Sequence, residues 1–404
     1  MSSNVNSLTQ TVPTIEDYLK ITRNKLVKYY ENLHIVLGNE SCDLDSAVSS
    51  LVFATFLKWQ YEQFKCRVCT RLRRPNEVYK DDIFVPLLNV NREDYPIKTE
   101  VAYCFQQHGI CEDNLVFRND INMEELTEKS RPRVYLVDHH VLSKSDEHLA
   151  PYVVEIIDHR PTDRSSWPYN DDTRLTIELV GSCSTLVAQR IRDLSALMSK
   201  DAEFFNAYPV CTDLLHSTIV LDTVNFSKEL KKATAHDEDV VMFLETLLKP
   251  TDCENERKDK LDGLVKARKD VSTLSPAQLL KKDVKILADV MVPSFPLLVK
   301  EFLSRPGALE AVSEALGLHK CTTALLLGMD LTHGLKRDTG VYCPNDISRA
   351  NKLSEFLQSW KPSLELIKDL PDSKDGVLYF IQNNLTASRK QYMPALMEFL
   401  NQYK

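Results

Sequence analysis

Glycine is scarce in this sequence, with 10 residues in 404, about a third of its ordinary frequency of ~7%. Neither the pattern G-x-G-x-x-G nor the pattern G-x-x-x-x-G-K-[ST] occurs. The scarcity excludes collagen-like and glycine-rich low-complexity chains. The two missing patterns argue against the common nucleotide sites that hold phosphates in a glycine loop.

Long apolar runs are also missing. No stretch of about 18 apolar residues occurs, so we expect no transmembrane helix. The opening MSSNVNSLTQTVPT has no charged segment followed by an apolar one, so we expect no secretory signal.

The ten cysteines are scattered, and the pair Cys66 and Cys69 has no second pair at zinc-site spacing, which favours reduced structural thiols. We therefore expect a cytoplasmic protein, with mitochondrial import as the alternative, because residues 1–15 carry no acid and are rich in Ser, Thr and Asn.

Positive charge is in deficit, with 50 Lys+Arg against 58 Asp+Glu and a formal net charge of −8. This balance predicts neither a nucleic-acid partner nor a membrane partner. An anionic substrate would need locally clustered cations. One basic run, Arg71-Leu-Arg73-Arg74, is either a solvated surface or a guide for a phosphate chain.

The pattern of apolar runs predicts an α/β fold. Short apolar runs at 34–38, 133–137, 153–157 and 214–221 predict strands, and the stretches 14–31, 46–64 and 184–197 predict helices. Strands that alternate with helices indicate a mainly parallel sheet with helices on both faces.

The composition of the chain changes beyond residue 225. Residues 228–270 are charged and helical, and residues 273–404 form a second mixed region with strands near 284–292 and 323–329. We expect two domains: 1–271, with its core from about residue 34, and a smaller α/β domain at 272–404.

Acidic residues follow each predicted strand of the first domain. They are Asp43 and Asp45 after the first strand, Asp138 with His139 and His140, Asp158 with His159 and Arg160, and Asp222. Ligands of such sheets bind at the carboxyl ends of the strands. One Asp there is commonly a helix cap, but four together repel each other unless cations neutralise them. Asp and His ligands suit a pair of Mn²⁺ or Mg²⁺ ions, and such a pair can hold a hydroxide and clamp phosphoryl oxygens.

These strings resemble a known family. LVDHHVL and EIIDHRP are similar to the signature of the DHH phosphoesterase superfamily, and LGNESCDLDSAVS, VGSCST and IVLDTVNFS are similar to its other motifs. KDVSTLSPAQLLKKDVK and TASRKQYMP resemble the second type of DHH-associated domain, and VPLLNVNREDYPIKTEV resembles the exopolyphosphatase and prune branch. The resemblance covers roughly residues 34–396. Asn39 and Arg160 stand at positions where the pyrophosphatases and exopolyphosphatases of this superfamily carry histidines. These two differences favour the prune proteins as the most similar branch.

The resemblance implies a two-metal site. By position, Asp43 and Asp45 would each face one metal ion, Asp138 would bridge both, and His159 and Asp222 would complete the second site. Because an amide is a weaker ligand than imidazole, the first site should hold its ion less tightly and accept Mg²⁺ more readily.

The resemblance also assigns catalytic and substrate contacts. Asp138, His140 and Arg160 would be catalytic, with His140 touching substrate or orienting Asp138. Asn39 and Arg160 would contact substrate. In the second domain Lys285, Arg389 and Lys390 would bind phosphates across a cleft between the two domains; Arg forks and Lys point charges are common phosphate ligands.

The function implied is a metal-dependent phosphohydrolase of the prune type. Its substrate would be short-chain polyphosphate, cyclic nucleotide phosphodiesters or both, cleaved by a two-metal hydroxide mechanism. The alternative is a catalytically weakened scaffold that acts through partners, with nucleoside diphosphate kinase as the partner that the resemblance suggests. The complete set of carboxylates favours the enzyme.

Overall fold

The structure is a computed structural model that describes residues 14–26, 32–64, 81–162, 167–331, 334–368 and 376–403. The chain divides into two compact units, an N-terminal unit of residues 1–268 and a C-terminal unit of residues 269–404. The expected domain boundary at 271/272 lies three residues after this division and stays a prediction. The Cys66 and Cys69 pair, the basic run at 71–74 and the end of the first predicted helix at 27–31 lie outside the described residues.

The described strands of the N-terminal unit form one parallel sheet, as the alternation of strands and helices predicts. Its strands are β1 (Leu33–Leu37), β2 (Ile83–Leu88), β3 (Val116–Phe117), β4 (Arg133–Val137), β5 (Val153–Asp158) and β6 (Arg174–Ile177), in the order β3-β2-β1-β4-β5-β6. The register pairs Leu37 with both Leu87 and Leu136. The carboxyl ends of β1, β2 and β4 therefore lie level at one edge of the sheet.

Helices cover both faces of this sheet. They are α1 (Ile15–Leu26), α2 (Leu44–Phe64), α3 (Thr99–Gln107), α4 (Met123–Lys129), α5 (Cys183–Leu197), α6 (Glu203–Ala207), α7 (Pro209–Asp222), α8 (Ala235–Leu248) and α9 (Cys253–Lys269). Successive strand residues point to opposite faces: Val36 packs in the core formed with α2, α5 and α7, whereas Ile35 and Leu37 pack in the core that includes α4. No described helix is long and apolar enough to cross a membrane.

The predicted strand at 214–221 is wrong, because these residues belong to helix α7. A short apolar run cannot be assigned to strand or helix by periodicity alone when the element is buried all round. The run extends back to Pro209, a favoured first helical residue, and residues 214–221 are buried without interruption. Asp222 therefore ends a helix, and three strand ends, not four, deliver acids to the edge of the sheet.

The C-terminal unit is a smaller α/β body. Its elements are α10 (Pro276–Lys282), β7 (Val284–Leu287), β8 (Val290–Phe295), α11 (Val299–Leu303), α12 (Ala308–Leu318), β9 (Thr323–Asp330), β10 (Lys336–Tyr342), α13 (Ile347–Ser359), β11 (Leu366–Lys368), β12 (Val377–Gln382) and α14 (Arg389–Gln402). The described strands pair in the order β11-β12-β10-β9-β8-β7. The pair β8 and β9 is parallel and the other pairs are antiparallel. One core lies on each face of this sheet.

Candidate active site

A tight loop between β1 and α2 carries the first acids to the edge of the sheet. A Cβ atom on Gly38 would lie 2.4 Å from the Ser46 Oγ atom, so only glycine fits this approach. The Asn39 N–H donates to the same Oγ at 2.6 Å. Cys42 adopts a left-handed conformation with φ 43°. This loop places Asp43 before the helix and Asp45 in its first turn.

The carboxylate of Asp45 lies at the N-terminus of α5. It accepts hydrogen bonds from the Cys183 N–H at 2.6 Å, the Ser184 N–H at 2.8 Å and the Ser184 hydroxyl at 2.7 Å. The first N–H groups of a helix have no intrahelical partner and favour negative charge. Burial nevertheless raises the pKa of Asp45, and the Asp43 charge adds to the rise. The side chain is thus a fixed, buried acid.

Asp138 follows β4 in a left-handed conformation with φ 61°, which is uncommon for a residue other than glycine and concentrates at functional sites. Its N–H donates to the Ile157 carbonyl at 2.9 Å, which ties it to β5. Burial raises the pKa of Asp138 to about 7, and repulsion from Asp45 adds to that rise. A cation at this position would remove the cost of the buried charge.

The imidazole of His159 is held in one orientation. Its Nδ1 atom donates to the Val180 carbonyl at 3.0 Å, so the Nε2 atom faces the acids, 3.4 Å from Asp138 Oδ1 and 4.0 Å from Asp45 Oδ2. Such a bond from the far nitrogen is typical of metal-binding histidines. Burial acts to lower the pKa of His159, but the Asp138 carboxylate outweighs it and raises that pKa to about 9.

Asp45, Asp138 and His159 form a cluster that fits a divalent ion. Each offers one ligand atom, and the three atoms lie within 4.8 Å of one another. The Oδ2 atom of Asp222 and the Ser182 hydroxyl are buried and make no hydrogen bond of ordinary geometry, although Ser182 lies close enough to act against the rise in the pKa of Asp222. Unsatisfied buried oxygens call for a partner that the protein does not supply. Two carboxylates and one imidazole suit Mn²⁺, with Mg²⁺ as the harder alternative.

Asp222 and Asp43 complete the acidic environment without joining the three-residue cluster. Burial, followed by the charges of Asp45 and Asp43, raises the pKa of Asp222 well above its usual value. The three residues Val224, Asn225 and Phe226 that follow it adopt φ values of 51°, 48° and 59°. Consecutive left-handed residues are costly and are retained where a site requires them. The roles of Asp43 and Asp222 as ligands stay predictions.

Asn39 uses its side chain to hold Asp138. Its Oδ1 atom accepts hydrogen bonds from the Ser41 N–H at 2.9 Å and from the Cys42 N–H at 3.2 Å. Because Oδ1 is the acceptor for these backbone groups, the Nδ2 atom is the donor, and it bonds both to Asp138 Oδ2 and to the Asp138 carbonyl. Asn39 is therefore placed to position Asp138, and its contact with substrate stays a prediction.

His140 is paired with a strand-end acid that the family resemblance left without a ligand role. Its Nδ1 atom contacts the carboxylate of Asp158, which is fully buried at the end of β5. The Trp167 ring stacks on the imidazole with a centroid distance of 6.2 Å. The contact could have been predicted from the sequence, because two successive predicted strands are each followed by Asp-His and successive parallel strands are commonly neighbours. The catalytic role of His140 stays a prediction.

Arg160 is the cation that follows the β5 end. Its side chain is 49% exposed, and its Nη2 atom lies 3.4 Å from Asp138 Oδ1. About half of the Arg160 side chain is therefore accessible to solvent. Its predicted binding of phosphoryl oxygens is compatible with that exposure, and no contact here tests it.

The three predicted phosphate ligands of the C-terminal unit differ in their surroundings. Lys285 and Lys390 are exposed. Arg389 is half-buried and donates to the Asp283 carboxylate at 2.6 Å and to the Asp283 carbonyl at 3.0 Å. Their binding of phosphate stays a prediction.

Sequence reasoning missed the residue that fixes the start of α5. Asp237 is fully buried and accepts hydrogen bonds from the Gly181 N–H at 2.8 Å and the Thr185 hydroxyl at 2.6 Å. It also caps α8 with Thr234. The pattern T-x-x-D before an apolar helix was the available signal, since it resembles a capping box.

Comparison with known proteins gives three kinds of similarity. The model of the DHHA2 domain matches residues 262–399. A Rattus norvegicus protein named exopolyphosphatase PRUNE1 is 34% identical over 395 residues, which are 96% of this chain and 80% of that protein. The Homo sapiens protein of the same name is 32% identical over 396 residues, again 96% and 80%. A solved Methanococcus jannaschii structure, whose name assigns it to the family II inorganic pyrophosphatases, shares 18% identity with a TM-score of 0.43 and covers 90% of this chain and 98% of that one.

Proposed function

This chain belongs to the prune branch of the DHH phosphoesterase family, and on that premise we propose that it is a metal-dependent hydrolase of phosphoanhydride bonds in short linear polyphosphates. The observation that carries the proposal is the cluster of Asp45, Asp138 and His159, whose ligand atoms lie within 4.8 Å of one another. The name exopolyphosphatase of the relatives at 34% and 32% identity supports the substrate class.

Asp45, Asp138 and His159 would hold divalent ions, and Asp43 and Asp222 would complete the site. When bound, divalent ions supply an activated water and neutralise charge on phosphoryl oxygens. The N-terminus of α5 and Asn39 keep Asp45 and Asp138 in place before substrate arrives, so little reorganisation is needed during the reaction. Arg160, exposed beside Asp138, would bind an oxyanion of the phosphate under attack.

The cations that the resemblance assigns to phosphate binding favour polyphosphate over a cyclic nucleotide. They are Arg160, Lys285, Arg389 and Lys390, and a polyanion can engage several cations at once. A cyclic phosphodiester carries a single negative charge and can satisfy few of them. Cyclic nucleotide hydrolysis is therefore the second candidate, and the family resemblance alone supports it.

The competing function is a partner-binding protein with a weakened site, nucleoside diphosphate kinase being the partner that the resemblance suggests. Asn39 and Arg160 motivate it, because both replace histidines of the fully active relatives. The side chain of Asn39 nevertheless makes specific hydrogen bonds to Asp138 and to its own loop, which a decaying site would have no reason to keep. We therefore favour the enzyme.

A substrate panel tests the proposal. Purified full-length protein is assayed with Mg²⁺ and with Mn²⁺ against tripolyphosphate, tetrapolyphosphate, pyrophosphate and 3′,5′-cyclic AMP, beside an Asp138→Asn variant and a Lys129→Ala control at the end of α4. We expect phosphate release from the tri- and tetraphosphates, loss of at least ~100-fold in Asp138→Asn because removal of a bridging ligand disrupts the ion site, and no loss in Lys129→Ala. A correctly folded wild-type protein that cleaves none of the four would favour the partner-binding function.

A further inference from the structure

We propose that Lys98 is a specificity-determining residue that binds the distal phosphates of a linear polyphosphate chain. The inference rests on the proposed function and names a contact within the N-terminal unit that the family motifs do not assign. Lys98 lies in the segment after β2, between a short 3₁₀ helix (Arg92–Ile97) and α3.

The ammonium group of Lys98 lies against the loop that carries the metal-binding acids. Its Nζ atom donates to the carbonyl oxygen of Ser41, two residues before Asp43. The charge of Lys98 also acts on the neighbouring Cys42, where it lowers the thiol pKa against the larger opposing effect of burial. The cation is therefore at the same edge of the sheet as the cluster of Asp45, Asp138 and His159.

Lys98 keeps most of its capacity to bind an anion. Among the residues that the structure describes, none of the carboxylates lies within ion-pair distance of its Nζ atom. The nearby Glu100 pairs instead with Arg268 at 3.2 Å. A lysine ammonium has three N–H donors, and the Ser41 carbonyl takes one of them. The side chain is partly exposed, so a phosphate oxygen can reach the remaining two.

Two cations thus flank the acidic cluster on opposite sides. The sheet order β1-β4-β5 puts the β1–α2 loop with Lys98 on one side of Asp138 and Arg160, after β5, on the other. The backbones of β1 and β5 are two inter-strand spacings apart, about 10 Å, and the Arg160 guanidinium reaches back to within 3.4 Å of Asp138 Oδ1. A chain of three or more phosphates laid along this edge can contact both cations while one phosphate lies at the metal cluster. Pyrophosphate and a cyclic phosphodiester are too short to do so.

A purely structural role for Lys98 predicts a different outcome. The bond to Ser41 could serve only to fix the loop of Asp43 and Asp45. In that case removal of Lys98 would disturb the metal ligands, and it would weaken Mn²⁺ binding and lower kcat for every substrate alike. A role in binding distal phosphates would raise KM only for the longer chains.

The test compares Lys98→Ala and Lys98→Arg with wild type, with Lys129→Ala as the matched control. Lys129 ends α4, just before β4 begins, and so lies toward the amino ends of the strands, away from the site. KM and kcat are measured for pyrophosphate, tripolyphosphate and tetrapolyphosphate, and calorimetry measures Mn²⁺ affinity and the affinity for tetrapolyphosphate.

We expect Lys98→Ala to raise KM for tetrapolyphosphate by about tenfold or more, as for loss of one charged hydrogen bond. The KM for pyrophosphate, the kcat values and the Mn²⁺ affinity should stay within about threefold, and Lys98→Arg should recover most of the loss. An equal effect on all chain lengths, or a matching loss of Mn²⁺ affinity, would overturn the inference and leave the proposed function intact. If the wild-type protein hydrolyses no polyphosphate, the proposed function fails, and unchanged calorimetric affinity of Lys98→Ala for tetrapolyphosphate would then refute the Lys98 contact independently.

Discussion

Replacing Asn39 by aspartate should make the stability of the protein strongly dependent on metal. The side chains have the same shape, so the Oδ1 atom of the variant can still accept from the Ser41 and Cys42 N–H groups. The Nδ2 donor, however, becomes an oxygen that faces Asp138 Oδ2. Two buried carboxylates would then be in contact, and neither could be ionised without cost in the absence of a cation.

The magnitude follows from the two hydrogen bonds that are lost. A bond to a charged group contributes about 1.5–3 kcal/mol and a bond to a carbonyl about 1 kcal/mol, so Asn39→Asp should lower the free energy of unfolding by roughly 3 kcal/mol without metal. For an N-terminal unit of residues 1–268, that corresponds to a melting temperature lower by about 5 °C. A bound divalent ion would be stabilised by the added charge, so saturating Mn²⁺ should reduce the deficit to less than half.

Scanning calorimetry at pH 8 with EDTA and with Mn²⁺ measures both quantities. The control is Asn89→Asp, because Asn89 is also a buried amide at this edge but donates to the Gly38 carbonyl at 3.0 Å and not to a carboxylate. Its deficit should be the same with and without metal. Our account of Asn39 would be refuted if Asn39→Asp were as stable as wild type in EDTA, or if Mn²⁺ restored both variants equally.

Three further predictions concern the residues around the site. Ser184→Ala removes a hydroxyl that donates a hydrogen bond to Asp45 at 2.7 Å, and it should weaken Mn²⁺ binding by about tenfold. The control is Ser195→Ala on the same helix, because the Ser195 hydroxyl has no hydrogen-bond partner. Equal Mn²⁺ affinities of the two variants in calorimetry would contradict this prediction. Gly181→Ala puts a Cβ atom 2.8 Å from the Lys232 carbonyl oxygen, and it should lower the free energy of unfolding in urea by about 1–3 kcal/mol. The control Gly317→Ala should not lower it, because a Cβ atom there meets nothing within 4 Å. Burial acts to lower the pKa of His108, but its bond to Asp213 raises that pKa to about 10. The stabilisation from this pair is therefore present at pH 6.5 and is lost as pH rises toward 10. His108→Gln should flatten this part of the stability–pH curve, and an unchanged slope would count against the pairing.

The parallel sheet could be predicted because its central strands are apolar on both faces. The runs at 34–38, 133–137 and 153–157 became β1, β4 and β5 with boundaries within one residue. The buried strand β2 was also missed, although its residues Ile83–Leu88 are apolar and buried throughout. The outer strands β3 and β6 were missed for physical reasons. β3 has two residues, and β6 is only partly buried, so neither carries the continuous apolar run that marks a buried strand.

Helix α7 shows where local sequence stops being informative. A helix packed against α2, α5 and α8 buries residues on every side, and the 3.6-residue period disappears from its sequence. The acid at its end was still recognised, because Asp222 follows the run whether the run is helix or strand. The predicted strand is a helix, but the candidate ligand at its end, Asp222, is the same residue.

The partners of the site residues lay beyond the sequence. Three contacts of the site join residues that are 18 to 139 positions apart in the sequence. The Asn39 amide donates to Asp138, the N–H groups of α5 donate to Asp45, and His140 contacts Asp158. Residue type permits each of these pairs but does not select it. Only the packing of strands and helices decides which donor meets which carboxylate.

Anomalous scattering from Mn²⁺ introduced into crystals of the full-length protein tests the central claim most directly. We predict two peaks beside Asp138, one of them bounded by Asp45, Asp138 and His159, and the loss of both in crystals of Asp138→Asn. A map with no peak at this cluster, from crystals that show ordered Asp45, Asp138 and His159 side chains, would contradict the account.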